Sequence, residues 1–326
     1  MSIKSNIWEN RRVLITGFSG FLGSWLTKVL VTKGVNLWGL DIKPYRKLTV
    51  LSEKESAEVK VIKGNVENLP LVLNTIMKNK IEFIFHLAAK ALVGECFNDP
   101  LRAFSSNIKG TWNILEASRN CHTIKGIIVS SSDKAYGIQS KLPYKETSPL
   151  AGSHPYDVSK SCADLLSYTY FYSYGLPVCV TRCGNIFGPG DFNFSRIVPD
   201  TIRSILENKT LFIRSNGRFI RDYIYIEDVV TGYIKLAEKM KKSGLSGEAF
   251  NFSNENPISV LELVNTIHRL VGSKPNYKIL NKAKYEIPKQ YLSSKKASGV
   301  LGWEPKYTLE EGLKKTINWY KNLLRN

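Results

Sequence analysis

From Arg12 to Asp41 the chain reads as strand, glycine-rich turn, helix, and a second strand ending in an acid. Arg12-Val13-Leu14-Ile15-Thr16 is an apolar run of strand length, and Ser24 to Lys33 carries apolar residues at helical spacing. Between them lies Gly17-Phe18-Ser19-Gly20-Phe21-Leu22-Gly23, and beyond them Asn36-Leu37-Trp38-Gly39-Leu40-Asp41. Few folds accept those parts in that order. They make a βαβ unit whose glycines, here spaced GxxGxxG, let backbone N–H groups approach a pyrophosphate at a helix N-terminus, where the dipole favours anions. Glycines alone are weak evidence, because turns use them routinely.

Asp41 sharpens the expectation. A carboxylate at that strand end accepts from both ribose hydroxyls and repels a 2′-phosphate, which favours NAD over NADP; Lys43 and Arg46 lie close behind and soften the preference. The rhythm then continues. Val59 to Ile62 is a third strand, followed by Gly64-Asn65-Val66, where Asn65 and Val66 are expected near an adenine. Leu69 to Lys78 is a helix, and Ile81 to Ala89 a fourth strand, whose small Leu87-Ala88-Ala89 end lets a cofactor lie against backbone. Pro100 to Arg119 is a helix around Asn107, and Gly126 to Val129 the fifth strand. Strands separated by helices imply a doubly wound parallel α/β sheet, Rossmann-like, with its ligand at the strand C-terminal ends.

The fifth strand delivers Ser130-Ser131-Ser132-Asp133-Lys134, and a Pro-, Gly- and Ser-containing loop then leads to Pro155-Tyr156-Asp157-Val158-Ser159-Lys160. Tyr156 and Lys160 are four apart on a helix running to Tyr174, so they share a face. A hydroxyl, a carboxyl and an ammonium at a strand end thus accompany a phenol and a second ammonium at a helix start. That constellation suits proton transfer. After the strand Pro177 to Arg182 the alternation breaks: Gly184 to Asp191 is expected as a loop, Arg218 to Tyr223 as a strand, and helices near 227–240, 259–271 and 309–324. A first domain of residues 1–182, with a returning segment near 223–253, and a smaller mixed α/β substrate domain of 183–222 and 254–326 are expected.

Composition removes other classes. Net charge is +18, from 46 basic and 28 acidic residues, but the lysines are scattered and no nucleic-acid motif is present, so a basic surface favouring anionic small molecules is expected. No apolar stretch is long enough to span a membrane and no secretory core opens the chain, which points to the cytoplasm. Five cysteines without a CxxC pair and four scattered histidines give no metal site, and the thiols read as small hydrophobes.

Taken together, Gly17-xx-Gly20-xx-Gly23, Asp41, His86-Leu87-Ala88-Ala89, Asn107, Tyr156-xxx-Lys160, Asn185-Ile186-Phe187-Gly188-Pro189-Gly190 and Arg221-Asp222-Tyr223-xxxx-Asp228 resemble the extended short-chain dehydrogenase/reductases that modify nucleotide sugars. The match runs through nearly the whole chain in the family's order. Within it, Ser132-Asp133-Lys134 is similar to the serine/threonine-Asp-Lys signature of CDP-glucose 4,6-dehydratases, with Ser where Thr is common and different residues before the tyrosine. The resemblance implies NAD held by Gly17, Ser19, Gly20, Phe21, Leu22, Gly23, Asp41, Asn65, Val66, Leu87, Ala88, Ala89, Asn107, Tyr156 and Lys160. It implies catalysis by Ser132, Asp133, Lys134, Tyr156 and Lys160, with the nucleotide sugar contacted by Ser132, Asn185, Arg214 and Arg221. It also implies a homodimer pairing the helices around Asn107 and after Tyr156, near Leu165, Leu166, Tyr168 and Phe171.

Bland readings stand beside these. A YxxxK on its own is usually a surface tyrosine and a solvated lysine, and a Ser-rich run before Asp usually a turn or cap. Arg214, Arg218 and Arg221 read alternatively as a solvated face, Arg218 above all, Trp303 and Trp319 as core, and Glu286, Lys289 and Tyr291 as pocket or surface without preference. A same-fold sugar 4-epimerase needs Tyr156 and NAD but not Asp133. A noncatalytic NAD- or polyanion-binding protein needs none of the acids and bases.

Overall fold

The computed structural model describes residues 6–44, 50–283 and 286–323, so Arg46 lies outside it. In chain order the elements are β1 (Arg12–Thr16), α1 (Phe21–Thr32), β2 (Asn36–Asp41), α2 (Glu53–Ala57), β3 (Val59–Lys63), α3 (Leu69–Lys78), β4 (Phe83–His86), α4 (Val93–Asn98), α5 (Pro100–Phe104), α6 (Gly110–Arg119), β5 (Gly126–Ser130), α7 (Pro155–Tyr174) and β6 (Val178–Cys183). There follow β7 (Asn185–Phe187), α8 (Ile197–Leu206), β8 (Leu211–Ile213), β9 (Ile220–Tyr225), α9 (Ile226–Ser243), β10 (Ala249–Phe252), β11 (Pro257–Ser259), α10 (Val260–Val271), β12 (Tyr277–Ile279), β13 (Lys289–Gln290) and α11 (Leu309–Leu323).

The seven-stranded sheet has the order β10-β6-β5-β4-β1-β2-β3. Its pairs from β3 through β6 are parallel, with Thr16 opposite Leu40 on one side and His86 on the other. The order reverses beside β1, between β2 and β4, which is where a doubly wound sheet opens a crevice at its strand ends. The strands are apolar because helices cover both faces: Leu14, Ile84, Ile127 and Val180 share one buried cluster with Ile114 of α6 and Ala163 of α7.

Two compact units emerge. The first comprises 1–137, 149–182 and 230–250, and the second 138–148, 183–229 and 251–326. The first unit's returning segment therefore starts at Val230 and ends at Phe250, while the expected one spans 223–253, and residues 138–148 group with the second unit.

Three local expectations change. The expected fourth strand through Ala89 stops at His86: the Leu87 amide still reaches the Thr16 carbonyl at 3.1 Å, but the Ala88 amide goes to the Thr16 hydroxyl at 3.2 Å. The helix expected over 100–119 carries a π-helical stretch, Ser105–Lys109, between α5 and α6. The expected loop 184–191 contains β7, which pairs in parallel with β9, Asn185 opposite Tyr223. In the second unit β9 is flanked by β11 and β13. Trp303 is fully buried there against Phe252, whereas Trp319 is half-buried against Phe192.

Candidate active site

The glycine turn is a cradle built for close approach. Gly17 has φ +73°, and a Cβ on it would lie 2.9 Å from the backbone nitrogen of Ala88; a Cβ on Gly23 would fall 2.1 Å from the Gly17 carbonyl. Only glycine tolerates either place. Helix α1 starts after Gly20 with no side-chain cap and no acid in its first turn, so nothing from its own sequence neutralises the positive end of its dipole. Asp41 is buried at the end of β2; it accepts the Ser19 hydroxyl at 2.7 Å and the Lys43 amide at 2.9 Å. These contacts fix its orientation and leave acceptor capacity, since a carboxylate offers about four lone-pair sites. A narrow glycine cradle, an open helix end and an oriented carboxylate one strand over fit NAD.

The other expected cofactor residues fall on the same unit in different ways. Asn65 is exposed and accepts the Glu67 amide, while the Val66 side chain is core, pressed on Gly110, and its carbonyl accepts Asn113. Leu87 and Ala88 lie where the Thr16 hydroxyl collects their amides. His86 bridges that hydroxyl at 2.7 Å to Thr111 at 3.1 Å; burial pulls its imidazole down to about 3, so it is a neutral linker. Asn107 is buried. Its amide accepts Lys90 N–H at 2.7 Å and donates to the Lys90 carbonyl and to the Ser159 hydroxyl, which in turn reaches the Tyr156 carbonyl. The π-helical stretch holding Asn107 thus ties the loop after β4 to the first turn of α7, a placement typical of functional π-bulges.

The residues expected to be catalytic lie on the turn after β5 and in the first turns of α7. Pro155 begins α7 with its preset φ, and Gly175 at φ +66° ends it. Tyr156 packs on Cys96 and Ala103, and the Lys160 ammonium lies 5.9 Å from its ring centroid. Lys160 Nζ donates to the Ser130 carbonyl at 2.7 Å, joining α7 to the strand end just before Ser132. Burial pulls Lys160 down to about 8, against the upward pull of Asp164 and Cys96. Ser132 caps the 3-10 turn Asp133–Tyr136; its oxygen accepts the Lys134 amide at 3.2 Å and its hydroxyl donates to Asp133 at 3.0 Å. Asp133 is buried, 4% exposed.

Behind this corner lies a network the sequence reading missed. Arg182 on β6 grips Asp164 of α7 through Nε at 2.9 Å and a terminal nitrogen at 2.6 Å, and its other arm donates to the Tyr136 hydroxyl at 2.7 Å. Ser131 donates to the same Asp164. A buried, multiply bonded ion pair fixes geometry more than it adds stability; here it clamps the turn bearing Asp133 to the helix bearing Tyr156. The signal available in sequence was an acid four residues beyond Lys160, on the same helical face.

The expected substrate residues lie in the second unit. Asn185 opens β7 and is half-buried. The Arg221 guanidinium is buried along Phe219, donates to the Ile220 carbonyl at 2.9 Å and meets Glu286 at 3.4 Å. Arg214 is exposed and donates to the Ser195 carbonyl, and Arg218 is exposed as expected. Among the described residues no cluster of potential metal ligands occurs, and no helix is long and apolar enough to cross a membrane. Among the described residues the five cysteines form no disulfide.

Residues 14–316 match the family model described as GDP-mannose 4,6 dehydratase. CDP-glucose 4,6-dehydratase of Salmonella typhimurium is 29% identical over 99% of this chain and 94% of its own length. UDP-glucuronate 4-epimerase of Thermodesulfobacterium geofontis is 31% identical over 94% and 95%. Among solved structures, the dTDP-glucose 4,6-dehydratase of Bacillus anthracis in complex with NAD superposes with a TM-score of 0.84 at 26% identity, covering 96% of this chain and 97% of that one.

Proposed function

Because the chain belongs to the GDP-mannose 4,6 dehydratase family, we propose that this NAD-dependent nucleotide-sugar 4,6-dehydratase acts on CDP-glucose and releases the CDP-linked 4-keto-6-deoxy sugar. Asp133 carries this reading. A 4-epimerase only removes and returns hydrogen at C4, whereas a 4,6-dehydratase must also expel the C6 hydroxyl, which calls for an acid. A buried acid stands beside Ser132 at the end of β5, with Lys134 next in the chain. The Salmonella relative supports the cytidine nucleotide and glucose.

When bound, NAD supplies the acceptor for the hydrogen that leaves C4 and the donor for C6. Tyr156 takes the proton of the C4 hydroxyl. Free phenol has a pKa of about 10, and the nearby Lys160 ammonium favours the phenolate. Once C4 is a ketone, the C5 hydrogen is acidic because its carbanion delocalises as an enolate. Asp133 gives its proton to the C6 hydroxyl, which leaves as water. Lys134 is assigned to the C5 side, as base when neutral or as counter-charge to the enolate when protonated. Arg221 and Asn185 are assigned to the diphosphate, for which a planar guanidinium fork is suited, with Arg214 a further cation for the nucleotide.

The test is a panel of nucleotide-activated hexoses read by mass spectrometry. CDP-glucose should yield a product lighter by one water and outpace the dTDP, UDP and GDP sugars. Conversion to CDP-galactose without water loss would instead establish the epimerase.

The quaternary proposal is a homodimer. Leu101 of α5, Trp112 of α6, and Leu165, Tyr168 and Tyr172 of α7 are all more than half exposed, an apolar display unusual for a monomer. Residues 165, 168 and 172 share one helical face. Of the sequence candidates, Leu165 and Tyr168 point outward, while Leu166 and Phe171 pack on the core. Leu165→Asp should convert a dimer to a monomer in light scattering; an unchanged mass would place any interface elsewhere.

A further inference from the structure

The buried pair Arg182–Asp164 does more than join two elements. Ser132 to Ala135 form a short segment, and the residues on either side of it both end on that one pair. Before it, the Ser131 hydroxyl donates to Asp164 and lies 3.3 Å from the Lys160 carbonyl. After it, the Tyr136 hydroxyl accepts one arm of Arg182 at 2.7 Å, while Nε and the other arm hold Asp164. Tyr136 is fully buried, and Ser131, Asp164 and Arg182 are buried with it.

The segment between these two pins is stiff in itself. The Ala135 amide donates to the Ser132 carbonyl at 3.1 Å, and the Gly137 amide to that of Lys134 at 3.0 Å. Asp133 therefore shifts only if a pin gives way. Tyr156 is held by other bonds: Lys160 anchors α7 on the Ser130 carbonyl, and Ser159 ties the Tyr156 carbonyl to Asn107. None of these uses the Ser131 hydroxyl, Tyr136 or Arg182. The base assigned to C4 and the acid assigned to C6 thus have separate supports. Apolar residues of the same volume often stabilise a fold as well as a buried ion pair does. What charge-assisted, forked bonds add is a fixed direction, and delivering a proton to a departing hydroxyl depends on direction and distance.

We propose that Arg182, Tyr136 and Ser131 are positioning residues for the elimination half of the reaction, aiming Asp133 at the C6 hydroxyl. The sugar need not touch any of the three. Their role rests on the dehydratase reading and specifies what holds its acid in place.

The experiment is Tyr136→Phe, which deletes the oxygen of one pin. Ser131→Ala, made alongside, deletes that of the other, so a folding defect in one variant leaves the second to report. Asp164 retains Arg182 in either case. Each variant is followed through a single turnover of the sugar the wild type dehydrates, CDP-glucose on the reading above. Cofactor absorbance reports oxidation at C4, and mass spectrometry reports water loss. Water loss should slow by up to about a hundredfold, the cost of misplacing a reacting group by an ångström. Oxidation at C4 and KM should stay near their wild-type values, so reduced cofactor should accumulate. Because the pins act through Asp133, adding Tyr136→Phe to Asp133→Asn should slow water loss no further. Equal slowing of both halves, additive losses in the double variant, or full-rate water loss in both single variants would overturn the role of the pins alone. A wild-type enzyme that dehydrates no nucleotide sugar would overturn the parent reading, and this role with it.

Discussion

Tyr156→Phe is expected to lower turnover of the proposed substrate, CDP-glucose, about a thousandfold, within the range seen when a positioned acid–base group is lost, and to leave NAD affinity nearly unchanged. The expectation follows from where the ring sits. Phenylalanine keeps the contacts with Cys96 and Ala103 and deletes only the oxygen meant to take the C4 proton. Lys160 retains its bond to the Ser130 carbonyl, so α7 stays docked on the end of β5. Steady-state rates and cofactor fluorescence titration together check it. Retention of more than a tenth of the activity would remove Tyr156 from the chemistry, and a collapse in NAD affinity would make its role structural.

Asp133→Asn separates the two halves of the reaction. Oxidation at C4 should continue, so reduced cofactor should accumulate on the enzyme, while water loss should slow about a hundredfold to ten-thousandfold. Asparagine preserves the size of the side chain and still accepts the Ser132 hydroxyl, which now donates at 3.0 Å. What it lacks is a proton acidic enough for a departing hydroxyl. A single-turnover experiment read by absorbance and mass spectrometry distinguishes the halves. Undiminished dehydration would strip Asp133 of its acid role and return the epimerase to contention.

Legibility in the sequence followed the range of the forces involved. The β1–α1–β2 unit was readable because its signals are local: strand-length apolar runs, three glycines and a terminal acid. The π-helical stretch at Ser105–Lys109 was not, since apolar spacing cannot distinguish it from the α-helix on either side. Its Asn107 is held instead by Lys90 and Ser159, far off in the chain. Strand β7 hid inside a Gly- and Pro-bearing loop because its partner β9 lies well downstream. Helix α8 carries a local signal of its own, with Ile197, Val198, Ile202 and Ile205 at helical spacing. On α7 apolarity singles out Leu165, Leu166, Tyr168 and Phe171 alike, but helical phase against the sheet turns Leu166 and Phe171 inward and leaves Leu165, Tyr168 and Tyr172 exposed.

The amino-acid order alone determined the doubly wound sheet, the cofactor cradle and the kinds of groups available for proton transfer. Periodicity and turn chemistry act within a few residues, so they can be read without knowing what packs where. The tertiary structure decided which charges share a buried space. Arg182 reaches Asp164 from another strand, Lys160 anchors on Ser130, and Asn107 joins Lys90 to Ser159. Coulomb attraction and hydrogen bonding depend on distance in space and on burial, and a linear chain carries neither quantity until its sheet has formed.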